Sequence, residues 1–520
     1  MSSPPAFSAP SIDEKQQRPS AERHEPMSET ASQDATLAPH EEDSDHVHAE
    51  EIEVSGVKIP ADWETDPENP QNWSFGQKWV SISIVSLYTL VAPLASSMLA
   101  PGLKDMAKHF DITSITVVNL VLSIFLLGFA IGPLIFGPLS EMYGRRIVLH
   151  ISTAVFFVFN LVSIWAPNTA AICVFRFFAG LGGSAAVGIG GGCVADVFKE
   201  RERAQAMGIY TLGPLLGPVI GPIAGGFLAD AVGYKWIFVV ITILAGISLA
   251  AGIPLLRETY APFIIEQRAR RRIKDEEARG DVPEKAPAKA NLSHVLWLNI
   301  SRPFILLTRS LICFTLAAYM GLNYGIMYLM FATFPTTFHD IYGFGTNVSG
   351  LAYLGLGVGF FGSTLIGARI MNNIYLRLAK QNKGVAEPEF RLPLMILASV
   401  IVPIGLLIYG WTAREGVHWI VPIIGTAIFA LGVMLSFLAI TLYLVDSFTY
   451  AASAIAAASF LRSMFGFAFP LFAVQMFDAL KTGPGNSLLA GVAVVLGVPF
   501  PIWLYYRGAQ ARARSSLMRR

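Results

Sequence analysis

Residues 213–226 read "GPLLGPVIGPIAGG": Gly213, Gly217, Gly221 and Gly225 recur every fourth residue, and Pro214, Pro218 and Pro222 follow three of them. In water both residue types break helices. Yet the stretch lies inside an apolar run, from about 207 to 228, of the length that spans a bilayer. In lipid no hydrophobic force drives one helix onto another, so association depends on close backbone approach, which small residues permit. Proline is tolerated there because neighbouring helices and local adjustments satisfy the freed carbonyls. The four-residue repeat therefore predicts a membrane helix with a smooth glycine stripe, seated tightly on another helix.

The composition supports a membrane protein. Of 520 residues, 53% are hydrophobic and 14% charged, with a mean hydropathy of +0.52; a soluble domain holds about a quarter charged residues. Residues 1–77 are rich in Glu, Asp, Ser and Pro and contain no apolar run, which predicts a disordered acidic tail and no cleaved signal peptide. Cys173, Cys193 and Cys313 all fall in apolar runs and read as small buried side chains, not disulfide partners or metal ligands. No metal site and no cofactor is expected. The expected partners are a small-molecule substrate, protons and the bilayer, with no nucleic acid and no second subunit.

Twelve apolar runs are long enough to cross a membrane, at about 79–101, 115–139, 147–166, 169–195, 204–229, 235–256, 306–334, 347–371, 393–412, 418–445, 449–475 and 486–506. A polar segment, 257–303, separates the sixth from the seventh. The expected organisation is a tail (1–77), a six-helix bundle (78–256), a linker (257–303), a second six-helix bundle (304–507) and a basic tail (508–520). Two six-span halves suit a transporter built from repeated units. Loops after even-numbered spans, with the C-terminal tail, hold 25 Lys and Arg against five in the opposite loops. The positive-inside rule then places both termini and the linker in the cytoplasm. Asn347-Val-Ser349 has the N-glycosylation pattern but sits at the edge of span eight.

Three further patterns carry chemistry. Between spans two and three runs "GPLSEMYGRRIVL", 137–149, where Gly137 and Gly144 suit a tight loop and Glu141, Arg145 and Arg146 supply charges to latch it. Glu141 is expected to cap a helix end in the other half, and Arg145 to pair with Asp196. Span four carries "RFFAGLGGSAAVGIGGGCVAD", 176–196, with Arg176 roughly 10 Å along the helix from its outer end. Arg462 sits ~20 Å into span eleven, too deep to snorkel easily. An arginine at either depth costs a few kcal/mol or more unless it faces a wet cavity or a partner. Span seven adds Asn323 and an aromatic series, Tyr324, Tyr328 and Phe331, as candidate cavity lining.

Together these residues resemble the major facilitator superfamily, in its fungal twelve-span drug:proton antiporter branch. The Gly-Pro series resembles that branch's fifth-span motif, which marks exporters. Residues 137–149 resemble its loop motif, with Glu141 for Asp and Met142 for the first basic residue, and span four resembles the motif whose Arg is implicated in proton transfer, with Ala179 replacing the usual Gln. "NPQNWS" (69–74), "ISRPFILL" (300–307) and "YLVDSFTYAASAIAA" (443–457) extend the likeness over nearly the whole chain beyond residue 65. The resemblance implies an all-α fold of two six-helix bundles, with the latch favouring the outward-facing state, and export of a secondary metabolite, toxin, drug or weak acid across the plasma membrane.

Proton coupling usually uses a carboxylate or His within the spans, and none is present there; Asp196, Asp446 and Glu141 are the candidates by reach. Two deep arginines without a counter-carboxylate predict poor transport of cations and better transport of neutral or weakly acidic molecules. An importer of an organic anion or vitamin is the alternative, opposed by the fifth-span motif. A polytopic enzyme lacks a catalytic constellation among His150, Asp196 and Cys193. A non-transporting sensor would be expected to carry a longer C-terminal tail.

Overall fold

The computed structural model describes residues 63–279 and 292–513, with 53–54, 57–58, 515, 517 and 518. Most of the expected acidic tail, through residue 52, and the middle of the linker, 280–291, lie outside the described residues. A two-residue pair, Glu53–Val54 with Val57–Lys58, and an isolated bridge from Phe448 to Met518 are the β-structure among the described residues. The rest is helices and turns.

The helices are α1 (Phe75–Met98), α2 (Leu103–His109), α3 (Ile115–Tyr143), α4 (Arg145–Ser163), α5 (Thr169–Val197), α6 (Glu200–Val232), α7 (Lys235–Leu255), α8 (Ala261–Arg279) and α9 (Leu292–Arg309). There follow α10 (Leu311–Tyr342), α11 (Thr346–Ser349), α12 (Leu354–Gln381), α13 (Leu392–Thr412), α14 (Ile420–Ser447), α15 (Ala451–Leu480), α16 (Thr482–Gly497) and α17 (Pro499–Ala513). Twelve stretches among the described residues are long and apolar enough to cross a membrane. They are α1, α3 to α7, α10 and α12 to α16, with α2, α11 and α17 extending the first, eighth and twelfth.

Local chemistry explains where the helices stop and start. Asn69 caps a short turn by accepting from Gln71 N at 3.0 Å while its Nδ2 donates to Trp63 O at 2.9 Å. Ser74 then opens α1 in a capping box with Gln77. Residues 63–74 are thus a folded segment, not the end of a disordered tail, and Arg268 of α8 grips it through Asp66 (Nη2–Oδ1 3.0 Å) and Glu68 (2.7 Å). Ser310, extended and accepting from Cys313 N, separates α9 from α10, so Arg309 ends a linker helix and the seventh span runs on to Tyr342. At the other terminus α17 carries the chain to Ala513, and the basic tail is docked: Thr449 N bonds Leu517 O. The three cysteines are free, Cys193 and Cys313 buried.

The glycine stripe of α6 lies along α1. A Cβ at Gly217 would stand 2.7 Å from Leu94 N, and one at Gly221 2.7 Å from Leu94 O; Gly213 faces Ser86 and Leu90, and Gly225 faces Met98. The stripe therefore meets positions 86, 90, 94 and 98, a matching four-residue step on the partner helix. The same helix turns a second edge to later spans: Val219 abuts Gly357, Pro222 abuts Gly350, and Gly226 abuts Thr346 and Asn347. This packing leaves Asn347 half-buried against α6.

Helix pairings repeat six spans on. In the first six spans α1 packs on α6, α3 and α4 on α5, and α4 on α7; in the last six α10 packs on α15, α12 and α13 on α14, and α13 on α16. The two sets meet where α3 packs on α15 and where α6 packs on α11 and α12.

Gly217→Val should force α1 and α6 apart, with overpacking costs of about 1–3 kcal/mol or more and a sharp fall in thermal stability in detergent. Gly208→Ala, on the same helix but with open space around it, should leave stability unchanged; equal behaviour of the two would contradict this packing. A second expectation concerns pH. The Arg268 guanidinium holds the Asp66 carboxyl below its ordinary value of 3.8. The clasp is therefore complete above that value and is lost only as pH falls through the lowered one. Hydrogen exchange at 63–74 should be protected at neutral pH, exposed in strong acid, and exposed at neutral pH in Arg268→Ala.

Candidate functional site

The deep arginine of span eleven has an aromatic seat. The Arg462 guanidinium lies 5.0 Å from the Tyr324 ring centre and 5.9 Å from Phe437, bringing α15, α10 and α14 together. It is half-buried, and its Nε has no hydrogen-bond partner. One residue before Tyr324, Asn323 is fully buried, with the Tyr319 hydroxyl of the preceding turn beside it, and neither group makes a hydrogen bond of good geometry. Such groups cost roughly 1–3 kcal/mol each unless something satisfies them. A half-buried guanidinium with a spare donor between two aromatic rings has the makings of a binding site for a small amphipathic molecule, whereas the Tyr319 ring is packed against Gly497 of α16.

The remaining aromatics of the stripe depart from cavity lining. Tyr328 is buried, its hydroxyl 2.8 Å from the Ser96 hydroxyl of α1. Phe331 is fully buried, edge-on to Tyr328 and tilted against Tyr353. Both are packing residues because a helix buried on nearly all sides turns its aromatic row into core.

Arg176 also departs from its expected place. It is 1% exposed, and its donors go to main-chain carbonyls: Nε to Val121 O (2.9 Å), Nη1 to Ala95 O (3.3 Å) and Nη2 to Leu122 O (3.2 Å), beside the Phe125 ring. The Ala95 carbonyl is available because the Leu99 amide, at the end of α1, bonds Ser97 O instead. With no carboxylate in reach, a buried guanidinium is held by carbonyl dipoles, and here it stitches α5 to α1 and α3.

At the end of the spans where the loops are basic, two ion-pair groups occupy equivalent places. Arg145 opens α4 and donates from Nε to Asp196 Oδ2 at 3.1 Å and from Nη1 to Ser140 Oγ at 2.9 Å, under the Tyr260 ring. Arg391, just before α13, donates to Asp446 Oδ2 at 3.0 Å, its guanidinium 3.8 Å from the Tyr375 ring centre. The separations, 51 and 55 residues, differ by about one helical turn, and each pair joins the loop before the third span of its repeat to the end of the fourth.

Glu141 does not make the cap expected of it in the other half: it is exposed on the last turn of α3 and points to solvent. The carboxylate that caps a helix at this loop is a different one, and the helix is α4 of the same half. Glu258, beyond α7, accepts from Arg145 N (2.8 Å), Arg146 N (3.1 Å), Thr259 N and Tyr260 N (each 3.0 Å). It thereby neutralises the first amides of α4, where the helix dipole favours an anion. Arg146 Nη2 reaches back to Ile253 O at 3.0 Å. Gly144, at φ +89°, makes the turn and leaves room for that carboxylate, whereas Gly137 lies within α3 with open space around it. In the second repeat Arg512 of α17 grips the buried Glu389 in a bidentate pair, 2.8 Å on both arms. Glu258, Glu389, Arg391 and Arg512 were not singled out from the sequence; the recurrence of an Arg before the third span and an Asp at the end of the fourth in each half was the available signal.

Hydrogen bonds between the first six and last six spans gather at the far end from these pairs. Besides Ser96 with Tyr328, Asn119 Nδ2 donates to Pro470 O at 2.9 Å and Gln475 Nε2 to Thr116 Oγ1 at 2.6 Å. That end is closed.

Residues 85–470 match the Major Facilitator Superfamily. The chain is 40% identical over 449 residues to efflux pump radE of Floropilus chiversii, covering 86% of this chain and 83% of that one. It is 41% identical to efflux pump vrtL of Penicillium aethiopicum, covering 88% and 90%. In fold it is similar to the E. coli xylose transporter XylE, solved in a partially occluded inward-open conformation: TM-score 0.60, 14% identity, covering 83% of this chain and 98% of the other.

Glu258→Ala strands four amides and should lower thermal stability by about 1–3 kcal/mol, while Glu141→Ala should not change it. Thermal unfolding of the two variants in one detergent decides which carboxylate holds the helix end.

Proposed function

The chain belongs to the Major Facilitator Superfamily, and from that premise we propose that it exports small neutral or weakly acidic organic molecules by alternating access, in exchange for protons. It is a multi-pass membrane transporter whose relatives include fungal efflux pumps. The observation that carries the substrate class is Arg462: a half-buried cation seated on Tyr324 and Phe437, with its Nε unanswered. The membrane-spanning carboxylates among the described residues lie at span ends, so this site has positive potential and repels cations. A secondary metabolite, toxin or drug with an acidic or phenolic group and an aromatic body fits such a site.

On this reading the basic end faces the cytoplasm, both termini lie there, the membrane is the plasma membrane, and one chain suffices. The closed far end then belongs to an inward-facing state that accepts cargo from the cell. Export requires the Ser96–Tyr328, Asn119–Pro470 and Thr116–Gln475 bonds to part and the basic end to close. Asp196 and Asp446 are the proton carriers this geometry supports, since protonating either weakens its pair with Arg145 or Arg391 and couples charge to movement of the loop. Glu141, exposed and outside both pairs, lacks that link to movement of the loop.

Purified protein in proteoliposomes, given a pH jump and a panel of anionic, neutral and cationic compounds, tests this directly. Weak acids and neutral aromatics should move against an opposing proton flux. Arg462→Ala should cut transport of the acids about tenfold or more, the loss of one charge-assisted contact, with thermal stability retained. Preference for spermidine over every acid would overturn the substrate class; flux insensitive to the pH gradient would overturn the coupling.

A further inference from the structure

We propose that a cavity between α3, α4 and linker helix α8 binds an anionic phospholipid, its headgroup held by Arg146 and Arg271 and its acyl chains laid along α4. The cavity measures about 750 Å³ and lies at the basic end of the spans, away from Arg462 and the candidate transport site. Its wall changes character along the helix. Phe136, Leu139, Ile147 and Ile151 form an apolar side, and Ile147 and Ile151, one helical turn apart, are 48% and 53% exposed on the outer surface of the spans. At the other side stand Arg146, Gln267 and Arg271, with Arg271 exposed. A soluble anion has no use for the apolar wall and an acyl chain alone none for the arginines; a molecule with both parts matches both.

Three details favour an anion at the polar end. The Glu258 carboxylate, also in the wall, is occupied by four backbone amides, so its charge is largely answered within the protein. The His150 ring lines the cavity with Nδ1 3.1 Å from the Tyr88 hydroxyl and a buried Nε2 that has no partner. Arg271 spends a donor on Gln267 of its own helix, at 3.3 Å, a contact readily exchanged for a phosphate oxygen. Basic side chains at a membrane interface attract anionic headgroups with about 1 kcal/mol each. The first turns of α8 pack directly on the spans, with Phe263 against Gly144 and Ile265 buried; a lipid in the cavity would add a second attachment further along the helix, at Gln267 and Arg271.

The full-length protein, reconstituted into vesicles of phosphatidylcholine alone or with one-fifth phosphatidylserine and then released for native mass spectrometry, tests this. One phosphatidylserine should be retained per chain in preference to phosphatidylcholine. Arg271→Gln should reduce that retention about fivefold, the loss of one arginine–headgroup interaction, and Ile147→Trp, which fills the cavity, should abolish it. Arg272→Gln, exposed but outside the cavity, should leave it unchanged. Equal loss in Arg271→Gln and Arg272→Gln would mean diffuse surface attraction and would overturn the site. So would displacement of the lipid by millimolar glycerol phosphate, which would mark a soluble-anion site, or retention that persists in Ile147→Trp.

Discussion

Close approach of α6 to α1 is the contact on which the rest of the bundle depends. In lipid the helices gain nothing from hiding apolar side chains, so the only way to hold them is to let backbones touch over a long line. Four glycines on α6 meet residues 86, 90, 94 and 98 of α1, and prolines between them are tolerable where neighbouring helices, not lipid, surround the helix. The same helix presents Val219, Pro222 and Gly226 to α11 and α12. It is therefore shared between the halves: its glycine stripe is seated on α1 of its own half, and its other edge presents Val219 and Pro222 to Gly357 and Gly350 of the other half.

Buried charge is the second constraint, and the protein answers it differently at each depth. At the basic end, where water is near, arginines take carboxylates: Arg145 with Asp196, Arg391 with Asp446, Arg512 with Glu389. Deeper, Arg176 takes three carbonyls. Arg462 takes two aromatic faces and leaves its Nε unanswered. Cation–π contacts supply about 0.5–2 kcal/mol each, less than a carboxylate would, so Arg462 is the arginine with the most to gain from an incoming anion. This contrast, more than its depth, separates it from Arg176.

The repeat organises both constraints. Pairings among the first six spans recur among the last six, and the Arg–Asp pairs recur with them. The supporting carboxylate does not: Glu258 answers amides of α4 from beyond α7, whereas Glu389 answers Arg512 from before α13. The two latches share a place in the fold but invert which side of the contact supplies the acid.

The twelve spans, the α-helical class and the tight glycine stripe could be read from the amino-acid order, because span length and small-residue spacing are local properties that the bilayer turns directly into structure. The Arg145–Asp196 partnership was within reach for a similar reason: both residues end spans whose lengths bring them to one membrane face. What Arg176, Tyr328, Glu141 and Glu258 do was settled by packing across the bundle. Depth in a span tells how costly a charge is, but its nearest acceptors belong to helices 50 or more residues away, and an aromatic row looks alike whether a neighbour or an open chamber faces it. Those contacts depend on how one helix is rotated against the next, a quantity that no single stretch of chain contains.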